Sequence, residues 1–235
     1  MTGSDSDRIA ALEAELAELR SDNARLRRLL DMRDAPGELR HRQRNSLAML
    51  RMLVRSSADS DREREDYVRH LEDRLDAITR VQVAIDAFGR PELGSVIANE
   101  LIAYTVSEGD QATLSGPTVR LKPHAAQVFA LAIHELTVNA VEHGNLGQTE
   151  GALDVRWEVE ADAEDTSLSL TWKETGLHGL KPPSRRGFGT EVLTETIFYE
   201  LKAVTTLAYE PDGLRCTMRF PLPERIGEAF HNGPG

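Results

Sequence analysis

The chain has 235 residues, 40% hydrophobic and 29% charged, enough for one or two domains with cores of their own. A formal net charge of -11 excludes the clustered cationic surface of a nucleic-acid binder, and the single cysteine, Cys216, excludes an internal disulfide and fits a reducing compartment. The longest apolar run, Val128 to Ile133, is far short of a membrane span, and the polar, acidic start MTGSDSDRIA lacks a signal-peptide pattern; the expectation is a cytoplasmic protein.

Residues 8–33 carry a heptad repeat, with Ile9, Leu16, Asn23 and Leu30 at a and Leu12, Leu19 and Leu26 at d. An Asn at one a position favours a parallel two-stranded register, so a dimerising coiled coil is expected over 1–35; the alternative is a helix packed on its own domain. Pro36 and Gly37 break the pattern. Two amphipathic helices follow at about 38–57 and 62–88, the first with Leu39, Leu47, Leu50 and Val54 on one side, the second with Val68, Leu71, Leu75, Ile78, Gln82 and Ile85. A hairpin of this kind cannot bury its stripe alone, and pairing two hairpins into a four-helix bundle would do so, which predicts a homodimer. On the first helix His41 falls nearly opposite the apolar side, with Glu38 one turn before it and Asn45 one turn after. A neutral imidazole there can attack an electrophile; the plainer reading is a solvated histidine.

From Pro91 the texture changes. A helix is expected near 93–102, short strands at 112–114 and 119–121, longer alternating ones around Leu153–Val159 and Leu168–Trp172, a helix at about 190–202, and strands at 203–209 and 214–220 turned by Pro211-Asp212-Gly213. The result is a mixed α+β domain of four or five strands backed by three helices over 90–235. Its centre is the helix beginning near Pro123. Phe129, Ala132, Leu136 and Ala140 form an apolar stripe, while Glu135, Asn139 and Glu142 recur at i, i+4 and i+7 on another. A carboxylate and a carboxamide one turn apart suit a hard cation such as Mg²⁺ on a nucleotide phosphate; the alternative is a partly buried helix whose polar groups meet water. Thr175 to Phe188 is a long Gly- and Pro-containing loop, a length that marks function or disorder.

In order, ELRHRQRNSL, LAIHELTVNAVEHG, and TWKETG followed by RRGFGT resemble the H box, N box and glycine boxes of the HWE-type sensor histidine kinases. His134, Trp172 and Glu174 match the three residues of that family's name, and the resemblance covers residues 38 to about 221. It implies a phosphoacceptor hairpin (36–89) followed by a Bergerat-type ATPase domain (90–235), with ATP and Mg²⁺ as cofactors. By the resemblance His41 is the phosphoacceptor, Asn139 holds Mg²⁺, and Glu135 positions the metal's waters or acts as a base, a role Glu38 shares as a candidate. Glu174 stands where related ATPases use an aspartate to accept the adenine amino group. Gly176 would give the base close access, and Gly187, Gly189 and Thr190 would pass beside the phosphates. Arg185 and Arg186 add charge for phosphate oxygens.

The chain departs from the family pattern in three places. Glu142 stands where many relatives carry a lysine, TGLHG replaces a tighter Gly-Gly-Pro segment, and no sensor domain precedes the heptads, so a separate sensor protein is a candidate partner. The expected activity is ATP-dependent phosphorylation of His41 and transfer to an aspartate of a response regulator. The rivals are a histidine phosphotransfer protein with a degenerate ATPase domain and an anti-sigma-type serine kinase, which leaves the His41 hairpin unexplained.

Overall fold

The computed structural model describes residues 64–104, 106, 111–144, 146, 151–161, 166–177, 179, 180, 182 and 187–230. The expected coiled coil, the first hairpin helix with Glu38 and His41, and the loop arginines Arg185 and Arg186 lie outside them. All described residues belong to one unit of the chain, Arg51–Gly235.

Helix α1 (Arg64–Phe88) is the expected second helix of the hairpin, but it turns a different row toward the domain. Arg74, Ala77, Val81 and Ile85 are buried, spaced at three and four residues as one helical face requires. The expected a/d row lies beside that face: Val68 is exposed and Leu71, Leu75, Ile78 and Gln82 are half-buried. Gly89, with φ of 74°, ends the helix in the left-handed region open to glycine. Helix α2 (Leu93–Ala103) buries Leu93, Val96, Ile97 and Leu101 together with Glu100.

Helix α3 (Pro123–Glu142) starts with proline in its first turn, where the missing N–H costs nothing. Every residue from Ala125 to Thr137 is buried, because α1 and α2 pack against it and the sheet covers it from another side, with Phe129 against Phe220 at 5.3 Å between ring centroids. The expected division into one apolar and one polar stripe therefore holds only toward its C-terminal end. Complete burial of Phe129, Leu131, Ile133 and Leu136 contributes about 1.5–3 kcal/mol apiece.

Five strands form the main sheet in the order β1 (Ala112–Ser115), β3 (Ala152–Ala161), β4 (Thr166–Thr175), β6 (Gly213–Pro221), β5 (Val204–Glu210). The β1–β3 pair is parallel and the others antiparallel. A separate two-stranded ribbon joins β2 (Thr118–Leu121) to β7 (Gly227–Phe230); β7 is not anticipated from the sequence. On β4 the inward positions are Leu168, Leu170, Trp172 and Glu174, so strict alternation delivers a carboxylate to the core face of the sheet. The last helical segment is interrupted. It runs through α4 (Phe188–Glu191), a π-helical turn at Val192–Thr196 and α5 (Ile197–Leu201), where one uninterrupted helix is expected. Lys202, at φ 59°, closes it in the left-handed conformation.

Candidate active site

A cavity of about 380 Å³ opens between the C-terminal half of α3, the C-terminal end of β4, the start of α4, strands β5 and β6, and the first half of α1. Glu135, Asn139 and Glu142 reach it from α3, Glu174 from β4, and Gly187, Gly189 and Thr190 from the RRGFGT segment. Gly176 is not among its lining residues; it adopts φ of 92° in the turn after β4.

Glu174 is 1% exposed. Burial pushes its carboxyl up to about 6, against the indole N–H of Trp172, which donates to Oε1 at 2.9 Å and favours the ionised form. Trp172 and Glu174 are two residues apart on one strand, so both point inward and the ring edge meets the carboxylate. A Cβ at Gly144 would lie 2.4 Å from Glu174 Oε2 and 2.7 Å from the Ala140 backbone, so only glycine lets the chain leave α3 across this carboxylate. At Gly213 a Cβ would lie 2.1 Å from the Glu174 carbonyl oxygen. Glycines from two distant turns thus let the chain pass close to one residue, Gly144 beside its carboxylate and Gly213 beside its backbone, which local sequence does not reveal.

Gly187 to Thr190 lie against α3. A Cβ at Gly189 would lie 2.9 Å from Glu135 Oε2 and 3.3 Å from Asn139 Nδ2, so the absence of a side chain brings the two boxes together. Glu135 is 5% exposed and Arg74, from α1, is 6% exposed. Arg74 donates from Nε to Glu135 Oε1 at 2.7 Å and from Nη2 to Oε2 at 3.4 Å, a fork on one carboxylate. The guanidinium carbon lies 3.6 Å from the Phe188 ring centroid, so the same side chain touches helix and lid segment at once. Arg74 and its neighbour His70, which also lines the cavity, are absent from the sequence expectations. The available signal was a charged residue heading the Ala77, Val81, Ile85 row.

The residue before Glu135 is tied to the same helix. His134 Nδ1 lies 3.5 Å from Glu100 Oε2, and its ring tilts against Tyr104 at 5.8 Å. Glu100 in turn accepts from Arg80 Nε at 3.0 Å and Nη2 at 2.8 Å. Burial alone would raise the Glu100 carboxyl, but the His134 ring and the Arg80 guanidinium together hold it below its ordinary value. Glu142 lines the cavity mouth with its carboxylate 4.0 Å from His143 Nε2. Among the described residues lining the cavity, Arg74 carries a permanent positive charge, and His70 and His143 line it as well. Among the described residues no group of three His, Cys, Asp or Glu forms a metal cluster.

Residues 38–118 match the family model of the HWE histidine kinases. The chain is similar to the HWE histidine kinases. The match spans the segment holding His41 and Glu38, and α1 and α2 after it. The "Blue-light-activated histidine kinase" of Brucella ovis is 25% identical over 200 residues, 84% of this chain and 41% of that protein; its counterpart in Brucella anthropi is 24% identical over 187 residues, 79% of this chain and 38% of that protein. The chain thus spans about two fifths of the length of these curated relatives. Among solved structures, the "Erythrobacter litoralis EL346 blue-light activated histidine kinase" superposes with a TM-score of 0.53 at 16% identity, covering 80% of this chain and 63% of that one; at that identity the likeness is one of fold. In this HWE-like chain the three name-giving positions fall into two units: Trp172 hydrogen-bonded to Glu174 at the cavity floor, and His134 facing Glu100 behind it.

Proposed function

We propose that the chain is a two-component protein-histidine kinase that phosphorylates His41 from ATP and passes the phosphoryl group to an aspartate of a response regulator. The observation that carries this reading is the Trp172-held carboxylate of Glu174 in a cavity shared with Asn139 and the Gly187–Thr190 segment. A carboxylate with one oxygen bonded and the other facing the Gly144 turn fits the exocyclic amine of adenine, a donor. Asn139 and Glu135 supply oxygen donors of the type a magnesium ion takes. When bound, Mg²⁺ would offset the charge spread over the triphosphate oxygens.

The chain's own residues then have distinct tasks. Glu174 orients the base, Gly189 keeps the lid segment beside Asn139, and Arg185 and Arg186 pair with phosphate oxygens. The neutral ring of His41 attacks the terminal phosphorus; an N–P bond forms, the bond to the departing ADP oxygen breaks, and the other ring proton is held or accepted by Glu38 or Glu135. The organisation is a coiled coil (1–35), a phosphoacceptor and dimerisation hairpin (36–89) and an ATPase domain (90–235), acting as a cytoplasmic homodimer. Incubating the full chain with labelled ATP and Mg²⁺ should give an acid-labile, alkali-stable label that His41→Gln abolishes. A chain that binds ATP yet never becomes labelled, whatever the activating partner, would refute the kinase reading.

One observation favours the second reading, a histidine phosphotransfer protein with a degenerate ATPase domain. The Glu135 carboxylate is already paired with Arg74. Calorimetry with ATP and Mg²⁺ separates the two readings: heat of binding at micromolar to submillimolar levels belongs to the kinase, and its absence to the relay.

A further inference from the structure

Two arginines of α1, Arg74 and Arg80, end on partners joined through adjacent residues of α3. Arg74 meets Glu135 directly, and Arg80 meets Glu100, which faces His134. The Arg80 connection is remote from the cavity and behaves as a structural anchor. The Arg74 connection is in the cavity, on a carboxylate that the kinase reading needs for the metal or the proton. Both of its oxygens are engaged, at 2.7 and 3.4 Å, and Phe188 packs on the guanidinium from the lid side at 3.6 Å.

A guanidinium forked on that carboxylate competes with a divalent cation for its lone pairs. Each is a positive charge seeking the same two oxygens, in a place where both ion-pair partners are about nine-tenths or more hidden from water and repulsion is weakly screened. We propose that Arg74 is an internal competitor of the magnesium-bound nucleotide: while it is seated on Glu135 the cavity is held in a resting state, and nucleotide binding must displace it, moving α1 relative to α3 and releasing Phe188. The inference rests on the kinase reading of the same cavity and adds its regulation. It also accounts for why the pair sits where it does. A fork on a single carboxylate gives a discrete on and off position, and α1 is the segment that connects this cavity to the hairpin sequence carrying His41.

Competition has an arithmetic consequence. A resting state populated nine-tenths of the time weakens apparent nucleotide affinity about tenfold, since only the open fraction binds. Replacing Arg74 by Gln removes the competing charge and leaves Glu135 to the metal, so the affinity of the full chain for magnesium with a non-hydrolysable ATP analogue should tighten about tenfold. Arg74→Lys keeps the charge but not the fork or the ring stacking, and its affinity should fall between the two. A ligand role for Arg74 on the phosphates gives the opposite sign, weaker binding in Arg74→Gln, and would overturn the proposal, as would an unchanged affinity; in both cases the nucleotide reading of the cavity stands. Binding by neither wild type nor variant sinks both.

Should Arg74→Gln fail to fold, the unmodified chain provides the same decision. The Nε–H of a buried, carboxylate-bound arginine exchanges slowly and gives its own nitrogen-15 resonance, assigned to Arg74 by its loss in Arg74→Lys. Saturation with magnesium and the analogue should shift or extinguish that resonance. A signal that stays unchanged while the analogue is bound refutes displacement.

Discussion

Replacing Glu174 by Gln tests the central electrostatic argument with a sign that is hard to obtain by accident. In the folded chain burial raises this carboxyl from its ordinary 4.5 to about 6. A raised carboxyl pKa means that the folded state holds its proton longer than the unfolded one. Between about pH 4.5 and pH 6 the unfolded chain has already lost that proton, so each rise in pH favours unfolding. The gap of about 1.5 pH units, at about 1.4 kcal/mol per unit, amounts to roughly 2 kcal/mol of stability lost by about pH 7.5. Gln has nearly the same shape and does not titrate. Any cost of burying its amide is independent of pH and cancels when one variant is compared with the wild type at two pH values. The stability of Glu174→Gln relative to wild type should therefore grow by roughly 2 kcal/mol from about pH 4 to about pH 7.5, read by urea denaturation, or by roughly 4–8 °C in Tm. In parallel, nucleotide affinity near neutral pH should drop, because the amide is a poorer acceptor than the carboxylate for an amine. A relative stability that is flat across this range would mean that Glu174 does not carry the burial penalty, and the account of the cavity floor would be wrong.

Two further outcomes follow from the same geometry. Trp172→Phe removes the donor at 2.9 Å from Glu174 Oε1 and should cost about 1.5–3 kcal/mol above pH 6, with a smaller loss at lower pH as the carboxyl takes up its proton; denaturation at two pH values checks it. Gly144→Ala would bring a methyl group to 2.4 Å from Glu174 Oε2 and 2.7 Å from the Ala140 backbone. It should destabilise by about 1–3 kcal/mol and weaken nucleotide binding, measured by thermal denaturation and calorimetry.

The sequence announced the elements of residues 90–230 more readily than their mutual contacts. Alternation of Leu168, Leu170 and Trp172 is a local signal, and extending it by two residues puts Glu174 on the inward face without any knowledge of the fold. Periodicity likewise located α2, α3 and strands β1 to β6 to within a few residues. What it could not supply was the pairing of Arg74 with Glu135, which are 61 residues apart and whose meeting depends on how α1 lies against α3. An amphipathic pattern selected the row of Val68, Leu71, Leu75 and Ile78, because it weighs hydrophobicity alone. The row that meets the domain is headed by a charged residue whose partner is another buried charge. Strand β7 escaped notice for a similar reason: Gly227–Phe230 is strand only because Thr118–Leu121 lies alongside it. The π-helical turn at Val192–Thr196 leaves the helical pattern nearly intact, so nothing in the residue order marks it.

Cys216 has a practical consequence for all such measurements. It is fully buried, directly across the ladder from Trp172, and burial pushes its thiol up to about 12. Since the thiolate is the reactive form, maleimide and other alkylating dyes will pass over it in the folded chain. A reporter cysteine introduced at an exposed position such as Val83, which is 65% exposed, can be dyed selectively with the native residue left in place, and fluorescence can follow α1 without dismantling the core beneath Trp172.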